Sequence, residues 1–393
     1  MTVYPLHGAI RTYAWGSRTA IAELQGRPAS EGPEAELWLG AHPGDPSTVP
    51  GPDGPLALNA LISGDPAGQL GAPIVERFGD RLPYLMKVLA AAGPLSLQAH
   101  PDADYAKAAF ARQEQDPAAP KNYTDGHHKP EMLVALTPFE ALCGFRSPQV
   151  SAEVLSELNL PQLAPVVTAL HDGDLETAVR TLLSWPESER DDLIKQVSSA
   201  AQQVPEDHGH TPSFVLAVDL AANYPGDPGV LVALLLNLVW LQPGQAIWMP
   251  AGNLHAYLGG LGVELMASSD NVLRGGLTPK RVDVDELLRV LRFEVLDDPL
   301  LHPTELAPGV TSWKVPVPDF ELYRVTLTED RPPAQLPGSG PRVILGASGD
   351  IHVGEGHGTP VEVRPGEAAY APASAGPLTA AGVGVLFVAS VPA

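Results

Sequence analysis

One short unit occurs twice in this chain, and that repeat constrains its fold more than any other feature. Pro243-Gly244-Gln245-Ala246-Ile247-Trp248-Met249-Pro250-Ala251-Gly252 parallels Pro365-Gly366-Glu367-Ala368-Ala369-Tyr370-Ala371-Pro372-Ala373-Ser374. Each copy is a turn, a five-residue extended run, a proline and a small residue. Pro-Gly opens a tight turn, and the second proline marks the end of the strand. Two such units in one chain predict two related β-sandwiches. The 38 glycines and 42 prolines agree with a scaffold of many short strands and turns. The copies then diverge. The first runs on to His255, whereas the matching place in the second is Pro377. The first copy can carry a metal; the second reads as structural.

Ahead of the first copy the period changes. From Pro148 to about Tyr224, apolar residues recur at helical spacing, as in Val150, Val154, Leu155 and Leu158, and again in Leu175, Val179, Leu182 and Leu183. Asp174 is placed to cap the second of these helices, and Trp185-Pro186 ends it. Two further helices are predicted over 187–203 and 213–223, separated by the loop 204–212. Elsewhere the spacing predicts strands over 81–88, 95–99, 131–135, 236–241, 245–249, 343–345, 361–363, 368–371 and 383–389. Short helices are expected over 21–24, 102–112 and 283–292, with Asp102 as the cap of the second. The predicted fold class is mainly β with a helical insertion. Residues 1–147 and 229–297 would form one sandwich, 148–228 a helical unit, and 298–393 a second, degenerate sandwich.

The chain carries 24 basic and 46 acidic residues, a formal net charge of −22. Phosphate backbones and anionic membranes need clustered Lys and Arg, so neither is an expected partner. A single cysteine, Cys143, excludes an intrachain disulfide and a multi-cysteine zinc site. Residues 1–10 lack a basic region followed by an apolar core, so no signal peptide is expected. The longest apolar run, 230–241, is broken by Asn237 and closed by Pro243. It is shorter than the ~20 residues a membrane span needs and reads as a buried element. These features predict a soluble, cytoplasmic protein; a monomer is expected, though none of these features sets the oligomeric state.

Several separated motifs carry chemistry. They are Leu95-Ser96-Leu97-Gln98-Ala99-His100-Pro101-Asp102, His128-Lys129-Pro130-Glu131, His255-Ala256-Tyr257, Val263-Glu264-Leu265-Met266-Ala267, and Ser269-Asp270-Asn271-Val272-Leu273-Arg274-Gly275-Gly276. Gly244, Pro250, Gly252 and His255 are similar in spacing to the second cupin motif, with Gly259 where that motif usually has a trailing Asn. Together with Tyr13-Ala14-Trp15-Gly16 and 139–146, the set resembles the type I phosphomannose isomerases, and the motifs stand in that family's order. The resemblance is dense over 81–146 and 236–294 and sparse elsewhere. It implies two cupin-like (jelly-roll) domains and one Zn2+ per chain held by Gln98, His100, Glu131 and His255. The residues support this independently. Gln98 and His100 are two apart, so a single strand turns both side chains to one side. Two imidazoles, a carboxylate and an amide oxygen suit a borderline divalent metal and leave room for water or sugar oxygens. Any one of the four alone reads equally well as an internally bonded polar residue; the four in these contexts do not. His127 stands where the family usually has Asn, and His127 and His128 are expected to be structural or solvent-facing. His208 and His210, in the loop of the helical block, read as ordinary residues.

An acidic chain that takes a phosphorylated sugar needs a local cationic pocket. Ser96, Lys87, Arg274 and Lys280 are candidates to contact the substrate. The resemblance implies that Ser96 and Lys87 meet phosphate and that Arg274 sits over the reacting end of the sugar. Lysine is scarce here, yet Lys87, Lys129 and Lys280 all fall in family-like stretches, where a compact charge or a proton-transfer group has use. Solubility is the ordinary alternative. Glu264, nine residues beyond His255, is a candidate general base or one half of a buried salt bridge. The expected activity is aldose–ketose isomerisation of mannose 6-phosphate and fructose 6-phosphate through an enediol, with Arg274, Glu264, Lys129 and Lys280 as the catalytic set. The alternatives are a related sugar-phosphate isomerase of other specificity, a non-catalytic sugar- or metal-binding cupin, and an iron oxygenase. The amide ligand and cationic setting argue against the last.

Overall fold

The computed structural model describes residues 3–392 apart from 117, 119, 331, 332 and 357. The extreme ends of the expected first and last units, residues 1–2 and 393, lie outside the described residues. The repeat is structural. Gly244 (φ 87°) and Gly366 (φ 73°) both take the left-handed conformation that opens the turn. They lead into the strands Ala246–Met249 and Ala368–Ala371, and each is followed by a 13-residue strand, His255–Ala267 or Leu378–Ser390.

The strand His255–Ala267 organises the site because it belongs to two facing sheets. Its first residues pair with Phe139–Phe145, and His255 also pairs with Gln98; its later residues pair with Tyr84–Ala91 and Glu131–Ala135. The bend falls at Gly260 (φ 123°), where a Cβ would lie 2.7 Å from the Pro138 carbonyl oxygen. Only glycine lets the chain turn there from one sheet into the other. All the ladders around this strand are antiparallel. The slot between the sheets is filled by Leu89, Leu133, Phe139, Cys143, Ile247, Met249 and Tyr257.

Alternation decides what faces that slot. Leu97 and Ala99 turn outward into a core shared with Leu155, Val179, Leu182 and Phe214 of the helical block, so Gln98 between them turns inward. The helices therefore cover the back of the strands that carry the predicted ligands. They are Pro148–Glu157, Ala164–His171, Leu175–Leu183, Glu187–Ala201 and Thr211–Asn223. Asp174 accepts from the Thr177 N–H at 2.9 Å and caps its helix as expected. The helix Ala164–His171 was not foreseen, because Pro161 and Pro165 interrupt the apolar period; Pro165 is tolerated in a first turn, where its missing N–H costs no bond.

The opposite flank is a nine-stranded sheet built chiefly from residues beyond 303. Its Trp313, Tyr370 and Phe387 pack against Met86, Val88, Val263 and Leu265 on the outer face of the second site-bearing sheet. The strand Tyr4–Leu6, which the sequence placed with 1–147, pairs instead with Ala368, Ala369 and Tyr370 of this sheet. Among the described residues, no helix is long and apolar enough to cross a membrane.

Candidate metal centre and its surroundings

His100, Glu131 and His255 come together in the slot, each no more than 1% exposed. Glu131 Oε2 lies 3.3 Å from His100 Nε2 and 3.2 Å from His255 Nε2. The other ring nitrogens are spoken for. His100 Nδ1 is 2.7 Å from the Asn271 carbonyl oxygen, and His255 Nδ1 is 3.1 Å from that of Asn253. A carbonyl can only accept, so Nδ1 carries the proton and Nε2 presents a lone pair in both rings. Burial pushes the His100 imidazole down to about 4, which keeps it neutral. Three acceptors thus converge, and His100 Nε2 has no hydrogen-bond donor of its own. A buried cluster of facing lone pairs is repulsive unless a cation sits among them. Backbone carbonyls that fix the rings are the usual support of metal-bound histidines. The residues fit zinc.

Gln98 lies opposite His255 on one side and opposite Arg274 on the other. Directly opposed residues share a face, so His255, Gln98 and Arg274 form a row along the slot. Arg274 is half-buried, burial lowers its pKa, and it makes no ion pair among the described residues. Ser96, half-buried, precedes the strand Leu97–Ala99, and Lys280 is exposed on the loop after Leu273–Gly276.

The remaining candidates are buried and paired. Lys129 Nζ is 2.7 Å from Glu131 Oε1. Burial pushes Glu131 toward protonation, but the Lys129 ammonium opposes it and the carboxylate is held well below its usual range. Lys87 lies opposite Glu264 in register, 2.9 Å from Glu264 Oε2 and 3.6 Å from Glu36 Oε1, with its ammonium over the Trp38 ring. Burial would lower Lys87, yet the carboxylates around it raise it, so it stays charged. Tyr257 donates to Glu264 Oε1 at 2.8 Å. Burial raises the Glu264 carboxyl, with Lys87 opposing. Three buried carboxylates thus face two ammoniums. The single negative charge left over becomes a positive one when a divalent cation binds.

Sequence reading gave no role to the residues that hold this arrangement. Asn271, fully buried, accepts from the Thr124 N–H at 2.9 Å and donates to the carbonyls of Asp125 and His127, both at 2.8 Å, while its own carbonyl fixes His100. It ties the segment leading into Lys129 and Glu131 to the ligand strand. The signal was present: a polar Ser-Asp-Asn run directly after an apolar strand. Asp270 and His42, 3.6 Å apart, were also passed over; they line a cavity of about 430 Å³ together with Arg81, Asp125 and His127. His127 is exposed there, and His128 reaches across to Asp319 at 2.9 Å.

A β-sandwich holding two inward histidines and a carboxylate, with an amide and an unpaired guanidinium beside them, defines a metal-dependent cupin. Residues 3–148 match the family model for the phosphomannose isomerase type I catalytic domain. The mannose-6-phosphate isomerase of Shigella flexneri is 35% identical over 399 residues, covering 97% of each chain. The human enzyme of that name is 34% identical over 353 residues, covering 82% of this chain and 81% of its own. A solved mannose 6-phosphate isomerase bound with zinc and yttrium superimposes with a TM-score of 0.89 at 31% identity, over 100% of both chains. The chain belongs to the type I mannose-6-phosphate isomerase family, and the likeness extends through the helical block and the last hundred residues, where motifs are sparse.

Proposed function

We propose that this chain interconverts mannose 6-phosphate and fructose 6-phosphate, with one zinc ion held by Gln98, His100, Glu131 and His255. The convergence of three buried acceptors, 3.2 and 3.3 Å apart through Glu131 Oε2, carries this reading. Zinc, when bound, polarises the sugar oxygens at C1 and C2 and offsets the negative charge of the enediolate. The chain's own residues do the rest. Arg274, in the same row as Gln98, offers an unpaired positive charge to the developing oxyanion. Ser96 and Lys280, both without side-chain partners among the described residues, are the groups free to take the phosphate. Lys129 holds a proton at Nζ beside the ligand carboxylate and is the nearest ammonium to the metal ligands.

Lys87 and Glu264 fit their sequence roles less well. Moving Lys87 to a phosphate would strand two buried carboxylates, and both oxygens of Glu264 are engaged. We read the pair as setting the charge of the slot. Removing a general base costs ~10²–10⁴-fold in rate. Glu264→Gln is expected to keep its zinc and lose no more than about tenfold in kcat, with a lowered melting temperature. A folded, zinc-loaded variant slowed by three orders of magnitude would return Glu264 to the role of base.

The domain division forms part of this proposal: a catalytic sandwich from 1–147 and 229–297, a helical cover and a degenerate second sandwich, amended by the strand Tyr4–Leu6. So does a cytoplasmic monomer, since one chain supplies every group in the site. The deciding experiment measures fructose 6-phosphate formation before chelation, after chelation and after zinc is restored, with metal content measured at each stage. Activity is expected to vanish with the metal and return with it. Fully metallated protein without activity would overturn the isomerase reading.

A further inference from the structure

We infer a second metal site in the helical layer, formed by Glu157, His208 and His210, for a borderline divalent transition cation such as Zn2+. Glu157 is the last residue of Pro148–Glu157, and the histidines lie in the loop that leads into Thr211–Asn223. His210 Nδ1 is 3.1 Å from Glu157 Oε1 and 3.3 Å from Oε2, and His208 Nδ1 is 3.6 Å from Oε2. Zinc bonds of ~2.0–2.1 Å in a tetrahedron place ligand atoms about 3.3 Å apart. The His210 edge through the carboxylate already has the length that coordination requires, and the His208 edge exceeds it slightly. One offered atom from each residue lies within 4.8 Å of the others.

The loop is held in shape without a metal. Thr211 Oγ1 donates to the Pro205 carbonyl at 2.7 Å, and the His208 and Thr211 amides donate to Pro205 and His208 carbonyls, both at 3.1 Å. Ligation would therefore order few residues. A competing bond exists: the His210 N–H donates to His208 Nδ1 at 3.2 Å. It is exposed, so water can replace the acceptor when His208 turns to the metal. Electrostatics favour a cation as well. A carboxylate at a helix C-terminus faces the negative end of the helix dipole, and a bound cation reverses that repulsion. Two imidazoles with one carboxylate select Zn2+, Co2+ or Ni2+ over Mg2+ and Ca2+, which prefer all-oxygen shells. The three side chains are 25–39% exposed, so water completes the coordination. No sugar chemistry is assigned to this site; it clasps the loop to the helix.

The test counts metal. Zinc-loaded holoenzyme is dialysed against graded Zn2+, and bound metal per chain is measured for the wild type, the double variant His208→Ala/His210→Ala, and Glu157→Leu. The wild type is expected to take up a second zinc, and both variants only the catalytic one, with isomerisation and circular dichroism unchanged. Glu157→Leu keeps the side-chain bulk while removing every donor atom, and decides the matter if the double variant fails to fold. A wild type that saturates at one zinc reduces the cluster to imidazole–carboxylate pairing and overturns the inference. Variants that still bind the second ion overturn it equally.

Discussion

Replacing Glu131 with alanine is expected to abolish isomerisation, empty the catalytic metal centre and destabilise the fold by about 3–5 kcal/mol. The three effects share one origin. Glu131 Oε2 faces both histidine Nε2 atoms, and Oε1 neutralises Lys129 at 2.7 Å. Without the carboxylate, the metal loses its only anionic ligand and Lys129, 7% exposed, loses its counter-ion. An uncompensated buried charge is far costlier than the pair was worth. Zinc content and denaturant unfolding, measured on the same preparation, check both halves. Stoichiometric zinc in a folded Glu131→Ala protein would mean that the centre lies elsewhere.

Arg274→Ala is expected to separate catalysis from stability. The guanidinium is half-buried and has no ion-pair partner among the described residues, so its loss should leave the unfolding free energy within about 0.5 kcal/mol. Turnover is expected to fall by ~10²–10³, the usual cost of losing one group aimed at a developing oxyanion, with zinc still bound. Steady-state kinetics on metal-quantified protein test this. Should zinc or stability fall together with kcat, Arg274 would be a structural residue.

The grouping of His100, Glu131 and His255 was legible because its chemistry is local. Gln98 and His100 declare a shared face by being two apart, and His255 follows a turn whose glycine and proline are printed in the sequence. The helical block was legible for a similar reason, since apolar spacing reports a helix without knowledge of its neighbours. What stayed hidden depends on pairing across long stretches of chain. Lys87 and Glu264 each read alone as a phosphate contact or a base; only strand register makes them partners. A clue existed, for each is a single charge inside an otherwise apolar strand. Such a charge requires a counter-ion, and two of opposite sign invite matching. The hub at Asn271 was hidden because its work is done by backbone carbonyls as much as by its amide.

The strand Tyr4–Leu6 finds its partner more than 360 positions later, at Ala368–Tyr370. On a ribosome this segment must wait, unpaired, until residues more than 360 positions further along have been made. The proposed zinc ligands, between positions 98 and 255, are made well before that closure. Metal capture can thus precede the pairing that seals the edge of the nine-stranded sheet. Chains truncated short of residue 368 would therefore expose an orphan edge strand to their neighbours, a recognised route to aggregation during synthesis.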